Sequence, residues 1–93
     1  MNQKKLNKAR KKIDHIDKKI FYLIKKRTQV VKYMLSLKQY RKQIIDRKRI
    51  TSILKNVRKN SLKNNIDPNI TVSIWKSMIW SYVRFQKKNF KKR

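Results

Sequence analysis

Arg10, Arg27 and Lys38 fall in step with an apolar stripe, Ile13, Ile16, Ile20, Leu23, Ile24, Val31 and Met34, and Gln86 falls in step with a second, Ile74, Trp75, Met78, Ile79, Tyr82 and Val83. A cation turned toward a core is costly unless something anionic neutralises it. Several cations and an amide on such stripes point to a small polyanion held among them. Helix geometry sorts these residues. Arg27 and Lys38 are three whole turns apart on one face, roughly 16 Å along the axis. Arg10 lies roughly 25 Å from Arg27 on the same helix and cannot share a small ligand with it within one chain. In an antiparallel dimer Arg10 reaches the partner's site instead, which gives two equivalent sites. The planar fork of Arg matches the two oxygens of a carboxylate, and Lys supplies a compact charge. The Gln86 amide can donate to an ether or hydroxyl oxygen. Arg49, one turn before Ile53, approaches from a second helix. Together these residues describe a dicarboxylate site with no nucleophile and no general base, suited to catalysis by positioning and electrostatic stabilisation.

Each residue also has an ordinary reading. An Arg at a stripe edge snorkels to water, and a buried Gln is often a satisfied core amide. Trp75, Trp80, Tyr82 and Phe85 at helical spacing suit a core or a dimer contact as well as a stacking platform. Asp14 and Asp17 can pair with neighbouring Lys.

Three helices must position these groups. The first is predicted over about residues 5–38, where apolar residues recur at three and four with no Pro or Gly. Its length suggests a bundle or coiled-coil partner. Lys38 to Ile45 reads as a loop, and Asp46 stands where a helix N-terminus favours negative charge. The second helix, about 46–64, carries Ile50, Ile53, Leu54, Val57 and Leu62. It ends in Asn64-Asn65, which tolerate left-handed backbone. Asp67-Pro68 restarts the chain, with Asp as N-cap and Pro at the first helical position. The third helix runs over about 68–89, and Lys91-Lys92-Arg93 read as a frayed tail. The expected fold is all-α, a single domain over 1–93. One chain with so long a helix cannot bury all three stripes, so the expectation is an intertwined homodimer.

Composition narrows the function classes. The 93 residues suit one small domain whose core is marginal. Without Cys there is no disulfide or thiolate metal site, and the lone His15 cannot build a His cluster. The acids are Asp14, Asp17, Asp46 and Asp67, with no Glu for paired-carboxylate chemistry. Gly is absent, which excludes Gly-rich phosphate loops. No cofactor or metal is expected. The formal net charge is +25, from 29 Lys+Arg against 4 Asp+Glu. Such charge suits a nucleic-acid backbone. Yet the basic residues are spread along the whole chain, and the richness in Lys, Asn and Ile fits compositional drift, which implies only nonspecific nucleic-acid binding. No apolar run approaches the ~18–20 residues of a spanning helix, and the basic segment Met1 to Lys12 is not followed by a continuous apolar region. No membrane partner and a cytoplasmic location are the expectations.

At these residues the chain resembles the all-helical (type II) chorismate mutases and their relatives, the isochorismate pyruvate lyases. The segment Ala9-Arg10-Lys11-Lys12-Ile13-Asp14-His15-Ile16-Asp17 is similar to the family's opening. Leu23-Ile24 before Arg27, and then Lys38, follow its spacing. Asp46 and Arg49 resemble the start of its second helix, Ile66-Asp67-Pro68 the following turn, and Ile74-Trp75 through Met78-Ile79 to Gln86 its closing segment. The resemblance implies that Arg27 and Arg10 of the partner subunit bind substrate carboxylates. It implies that Lys38 and Gln86 donate to the ether oxygen, that Arg49 supports the charge pattern, and that Asp46 lies near the ring hydroxyl. The reaction implied is the rearrangement of chorismate to prephenate.

Two positions depart from the mutase pattern. Ile50 stands where mutases place a Glu, and Tyr82 where they often place a small hydroxyl residue. Both look like the lyase branch, which converts isochorismate to salicylate and pyruvate. The expected activity is chorismate mutase, a step toward aromatic amino acids. The alternatives are the lyase and a basic helical protein that binds nucleic acid.

Overall fold

The computed structural model describes residues 2–91, and these contain three α-helices, one 3-10 turn and no strand. The helices are α1 (Gln3–Leu37), α2 (Arg47–Lys63) and α3 (Pro68–Asn89), with the 3-10 turn at Arg41–Gln43. The all-α architecture agrees with the expectation, and the helix ends lie within two residues of the expected ones, the largest difference being the earlier start of α1. Of the expected tail, Lys92 and Arg93 lie outside the described residues, as does Met1 of the N-terminal basic segment. No helix among the described residues is long and apolar enough to cross a membrane.

The chain divides into two compact units, one up to Tyr33 and the other from Met34 onward. The first is the body of α1. Nothing in its sequence breaks a helix, and the Thr28 hydroxyl donates to the Ile24 carbonyl at 2.8 Å, bonding back to its own turn. Its apolar stripe is open to solvent, with Ile13, Ile16, Ile20, Leu23 and Ile24 each between 43 % and 62 % exposed. The buried residue of α1 is Val31.

In the second unit α2 packs on α3. The buried apolar residues here are Ile44, Ile79 and Val83, joined by two buried polar ones, Ser61 and Gln86. Ile79, Val83 and Gln86 form the inward line of α3. Ile74, expected on that stripe, is 53 % exposed. It sits five residues before Ile79, roughly 140° around the helix, and so faces away. Leu62 is likewise exposed.

The α2–α3 turn is built from local chemistry. Asn65 adopts φ 58°, the left-handed region, just past the C-cap Asn64. In a chain without Gly, Asn is the residue best able to do this. The Ile66 N–H then donates to the Ser61 carbonyl at 2.9 Å and the Asn65 N–H to the Leu62 carbonyl at 3.4 Å. This is the paired pattern that closes a helix through a left-handed residue. Asp67 caps α3 by accepting from the Asn69 N–H at 2.9 Å, and Pro68 occupies the first turn, where its missing N–H costs nothing. Ser61 and Thr71 clamp the two helices side by side. The Ser61 hydroxyl donates to the Val57 carbonyl at 2.6 Å. That short bond commits the Ser61 proton, whereas the Pro68 carbonyl is 3.5 Å from the Thr71 hydroxyl and competes weakly for its proton, which favours Thr71 as the donor in the Ser61–Thr71 bond. Neither residue figured in the sequence reading, because a hydroxyl at a helix–helix contact leaves no periodic signal.

Asn65→Val should destabilise the fold by about 1–2 kcal/mol, since a β-branched residue resists the left-handed region. Asn65→Gly should be at least as stable as the parent. Urea unfolding followed by circular dichroism compares the three, and equal midpoints would contradict this account of the turn.

Candidate functional site

Lys38 follows the last residue of α1, and its N–H still donates to the Leu35 carbonyl at 3.1 Å. That bond extends the helical path by one residue and sets the direction of the side chain. Across the second unit, Lys38 Nζ donates to Gln86 Oε1 at 2.7 Å. A Lys ammonium has only donors, so the Gln86 amide must turn its oxygen toward it. Its nitrogen then faces back along α3 and donates to the Tyr82 carbonyl at 3.3 Å. Gln86 is thus a buried amide with a partner at each end. The pair still holds unused donors, two on the ammonium and one on the amide nitrogen.

The segment between Lys38 and α2 is held by three contacts. The Gln43 Oε1 accepts from the Gln39 and Tyr40 N–H groups, each at 2.8 Å, and closes the turn from inside. Ile44 is 5 % exposed and acts as the anchor; burying such a side chain contributes about 1.5–3 kcal/mol. Arg41 Nη1 donates to the Lys87 carbonyl at 2.9 Å, and its guanidinium lies 5.2 Å from the centre of the Phe90 ring. What reads in sequence as a plain loop over Lys38 to Ile45 is therefore a strapped segment with a turn of its own. The sequence gives little warning of it, because the partners of Arg41 lie more than forty-five residues away.

Asp46 ends this segment and opens α2, accepting from the Arg49 N–H at 3.0 Å as its N-cap. Its charge also acts on Lys38. Burial pushes the Lys38 ammonium below the usual lysine range, and the nearby Asp46 carboxylate opposes that shift without cancelling it.

The expected site residues are not equally placed. In the second unit, Gln86 is buried, Lys38, Ile50 and Tyr82 are half-buried, and Asp46 and Arg49 are exposed. Lys38, Gln86 and the backbone of Tyr82 are joined in one hydrogen-bonded chain, and Asp46 is joined to Arg49. In the first unit, Arg27 is half-buried and Arg10 is exposed. By its spacing Arg10 belongs with the cations turned to a core. In the single chain it faces solvent, because the stripe it accompanies is itself uncovered. Among the described residues no group of three or more His, Cys, Asp or Glu side chains is placed to hold a metal ion. What the second unit can do chemically is present a cationic ammonium and an oriented amide, with donors to spare, to an oxygen that gains negative charge.

Against known proteins, residues 9–87 match the family model described as chorismate mutase type II. Neither a curated protein nor a solved structure gives a significant match to the chain.

The two opposing influences on Lys38 have separable signatures. Followed by NMR on dimethylated lysines, Lys38 should titrate below the exposed lysines. Asp46→Asn, which keeps an N-capping side chain but removes the charge, should lower it further. Titration of Lys38 together with the surface lysines, or an upward move in Asp46→Asn, would contradict the assignment.

Proposed function

The chain belongs to the chorismate mutase type II family, and we propose that it catalyses the rearrangement of chorismate to prephenate. The observation that carries this reading is the Lys38–Gln86 pair, an ammonium and a buried amide at 2.7 Å with donors left over. The rearrangement is intramolecular. One ether C–O bond breaks and one C–C bond forms, and the substrate supplies all the electrons. Negative charge grows on the ether oxygen as the C–O bond stretches. Lys38 and Gln86 meet that charge with donors already oriented by each other, so little reorganisation is needed at the moment of reaction.

Binding falls to the arginines. Arg27 and Arg10 of the partner subunit take the substrate carboxylates through their planar forks. Arg49 adds to the positive field, and Asp46 uses the carboxylate oxygen left over from capping α2 to accept from the ring hydroxyl. Held this way, the substrate is confined to the compact conformer that reacts, which is the larger part of catalysis by positioning. The proposal requires a homodimer. The open stripe Ile13, Ile16, Ile20, Leu23 and Ile24 supports it, since a second copy of α1 would cover that stripe and deliver Arg10.

A second reading has its own support. Ile50 and Tyr82 are half-buried residues at positions where a mutase would place a Glu and a small hydroxyl. Without that Glu the ring hydroxyl loses an acceptor. The same donors then suit isochorismate pyruvate lyase chemistry. There the ether C–O bond breaks while a hydrogen moves from the ring to the methylene of the enolpyruvyl group, which leaves salicylate and pyruvate. That reaction also builds charge on the ether oxygen and also needs no base.

Parallel assays of chorismate and isochorismate with purified protein separate the two, and prephenate as the main product is the expected result. Salicylate and pyruvate with little prephenate would give the site to the second reading. Arg27→Ala should lower kcat/KM by about 10²–10³-fold while the oligomer stays intact by light scattering, and normal turnover in that variant would overturn the assignment. The alkaline limb of the rate profile should fall below the ordinary lysine range, because only protonated Lys38 carries the charge that the ether oxygen needs.

A further inference from the structure

We propose that the second unit carries a further binding site, for a chain of linked phosphates, in the basic groove between the strapped segment, the start of α2 and the end of α3. The groove has a volume of about 650 Å³. Five of its seven lining residues are cations, Arg41, Lys42, Arg47, Lys48 and Lys87. Across the whole chain the share of Lys+Arg is 29 of 93, so the groove is more than twice as basic as its background.

The single acid in the groove is Asp46, and one of its oxygens is committed to the Arg49 N–H. Five cations against one carboxylate leave a formal excess of four positive charges. A dicarboxylate brings two negative charges and leaves the groove half neutralised, whereas a triphosphate chain can match the whole excess. Arg41 is already in position. Its bond to the Lys87 carbonyl and its stacking on Phe90 hold the guanidinium in place, so its remaining N–H groups face a ligand with little further ordering cost. Lys42 and Lys48 are exposed, and their long side chains can reach the oxygens of a phosphate chain. Ile45 gives the groove one apolar wall, against which a flat group attached to the phosphates could rest. Neither Lys38 nor Gln86 lines the groove, and Asp46 is the one residue it shares with the site proposed above, so phosphate binding by the five cations does not rest on the reaction assigned to that pair.

Calorimetric titration of the full chain with sodium tripolyphosphate tests this at several salt concentrations. One saturable site per chain is expected, with affinity falling as salt rises. Lys42→Ala/Lys48→Ala should weaken binding about tenfold, the worth of two exposed ion pairs. Lys55→Ala/Lys59→Ala, which removes the same charge from the exposed face of α2 outside the groove, should leave binding close to the parent. Ala is at least as good a helix former as Lys at positions 48, 55 and 59, and Lys42 is an exposed residue of the 3-10 turn, so both double variants should fold, as circular dichroism would verify. A parallel titration with ATP identifies the source. Tighter binding of ATP assigns a nucleotide, and tighter binding of tripolyphosphate assigns an inorganic chain; both support the site. Equal loss in the two double variants, several weak sites per chain, or no saturation would overturn it and leave only the diffuse attraction of the net charge. A short DNA duplex whose binding depends on Lys55 and Lys59 and displaces tripolyphosphate would overturn it in favour of a nucleic-acid surface.

Discussion

A buried amide cannot be left without partners, and in the second unit that requirement organises much of what surrounds Gln86. An unpaired buried amide would cost a few kcal/mol, a large share of a small domain's stability. Gln86 avoids the cost through Lys38 at one end and the Tyr82 carbonyl at the other. Lys38 can serve only if the chain leaving α1 is directed toward α3. The segment after it is therefore held by its Gln43 turn, by Ile44 in the core and by Arg41 on α3. The segment must then hand over to α2, and Asp46 does so as a cap. Satisfying one amide in this way also creates the oriented donors that make the pair chemically useful.

Electrostatics set the limits on this arrangement. A chain of net charge +25 carries strong self-repulsion, and most of it is tolerable only because the cations are exposed and screened over about 10 Å in ordinary salt. Lys38 is the exception that the second unit brings partly out of water. Its ammonium is destabilised by burial, with Asp46 the carboxylate that relieves it. The four acids are all Asp, and two of them, Asp46 and Asp67, are used as helix caps. With so few acids available, one carboxylate has to serve both local helix geometry and the charge balance of the candidate site.

The sequence was most legible where a local rule was enough. Asp67-Pro68, Asn64-Asn65 and Asp46 each placed a helix end correctly, because capping depends on neighbours within a few residues. The periodicity of α3 found Gln86 as an inward polar residue, although it included Ile74 by stretching the stripe too far around the helix. Long-range contacts were not legible. The strap of Arg41 onto Lys87 and Phe90, and the clamp of Ser61 onto Thr71, are contacts between elements with no spacing signature. Arg10 shows the converse. Its spacing suggested a core position, and its exposure in the single chain shows that a stripe reports what a helix is able to bury, not what one chain buries.

The choice between the two reactions turns on what the site lacks. Charge on the ether oxygen develops in both, so in the roles proposed for them Lys38 and Gln86 would not discriminate between them. In the proposed site, discrimination would have to come from the ring side of the substrate, where Ile50 would offer an apolar surface in place of a carboxylate. If the mutase reading holds, Asp46 must hold the ring hydroxyl without the help of a Glu, and the rate enhancement rests more heavily on the arginines. Introducing the missing carboxylate tests that argument directly. Ile50→Glu should raise prephenate formation and depress any salicylate formation, because a carboxylate there can accept from the chorismate ring hydroxyl, whereas isochorismate carries its hydroxyl on a different ring carbon and its path needs an apolar wall. A change of about 1–3 kcal/mol in relative kcat/KM is the scale expected from pairing one polar group that was left unpaired. If prephenate formation is unchanged in Ile50→Glu, position 50 does not face the substrate ring, and the specificity must lie with Tyr82 or with the carboxylate-binding arginines.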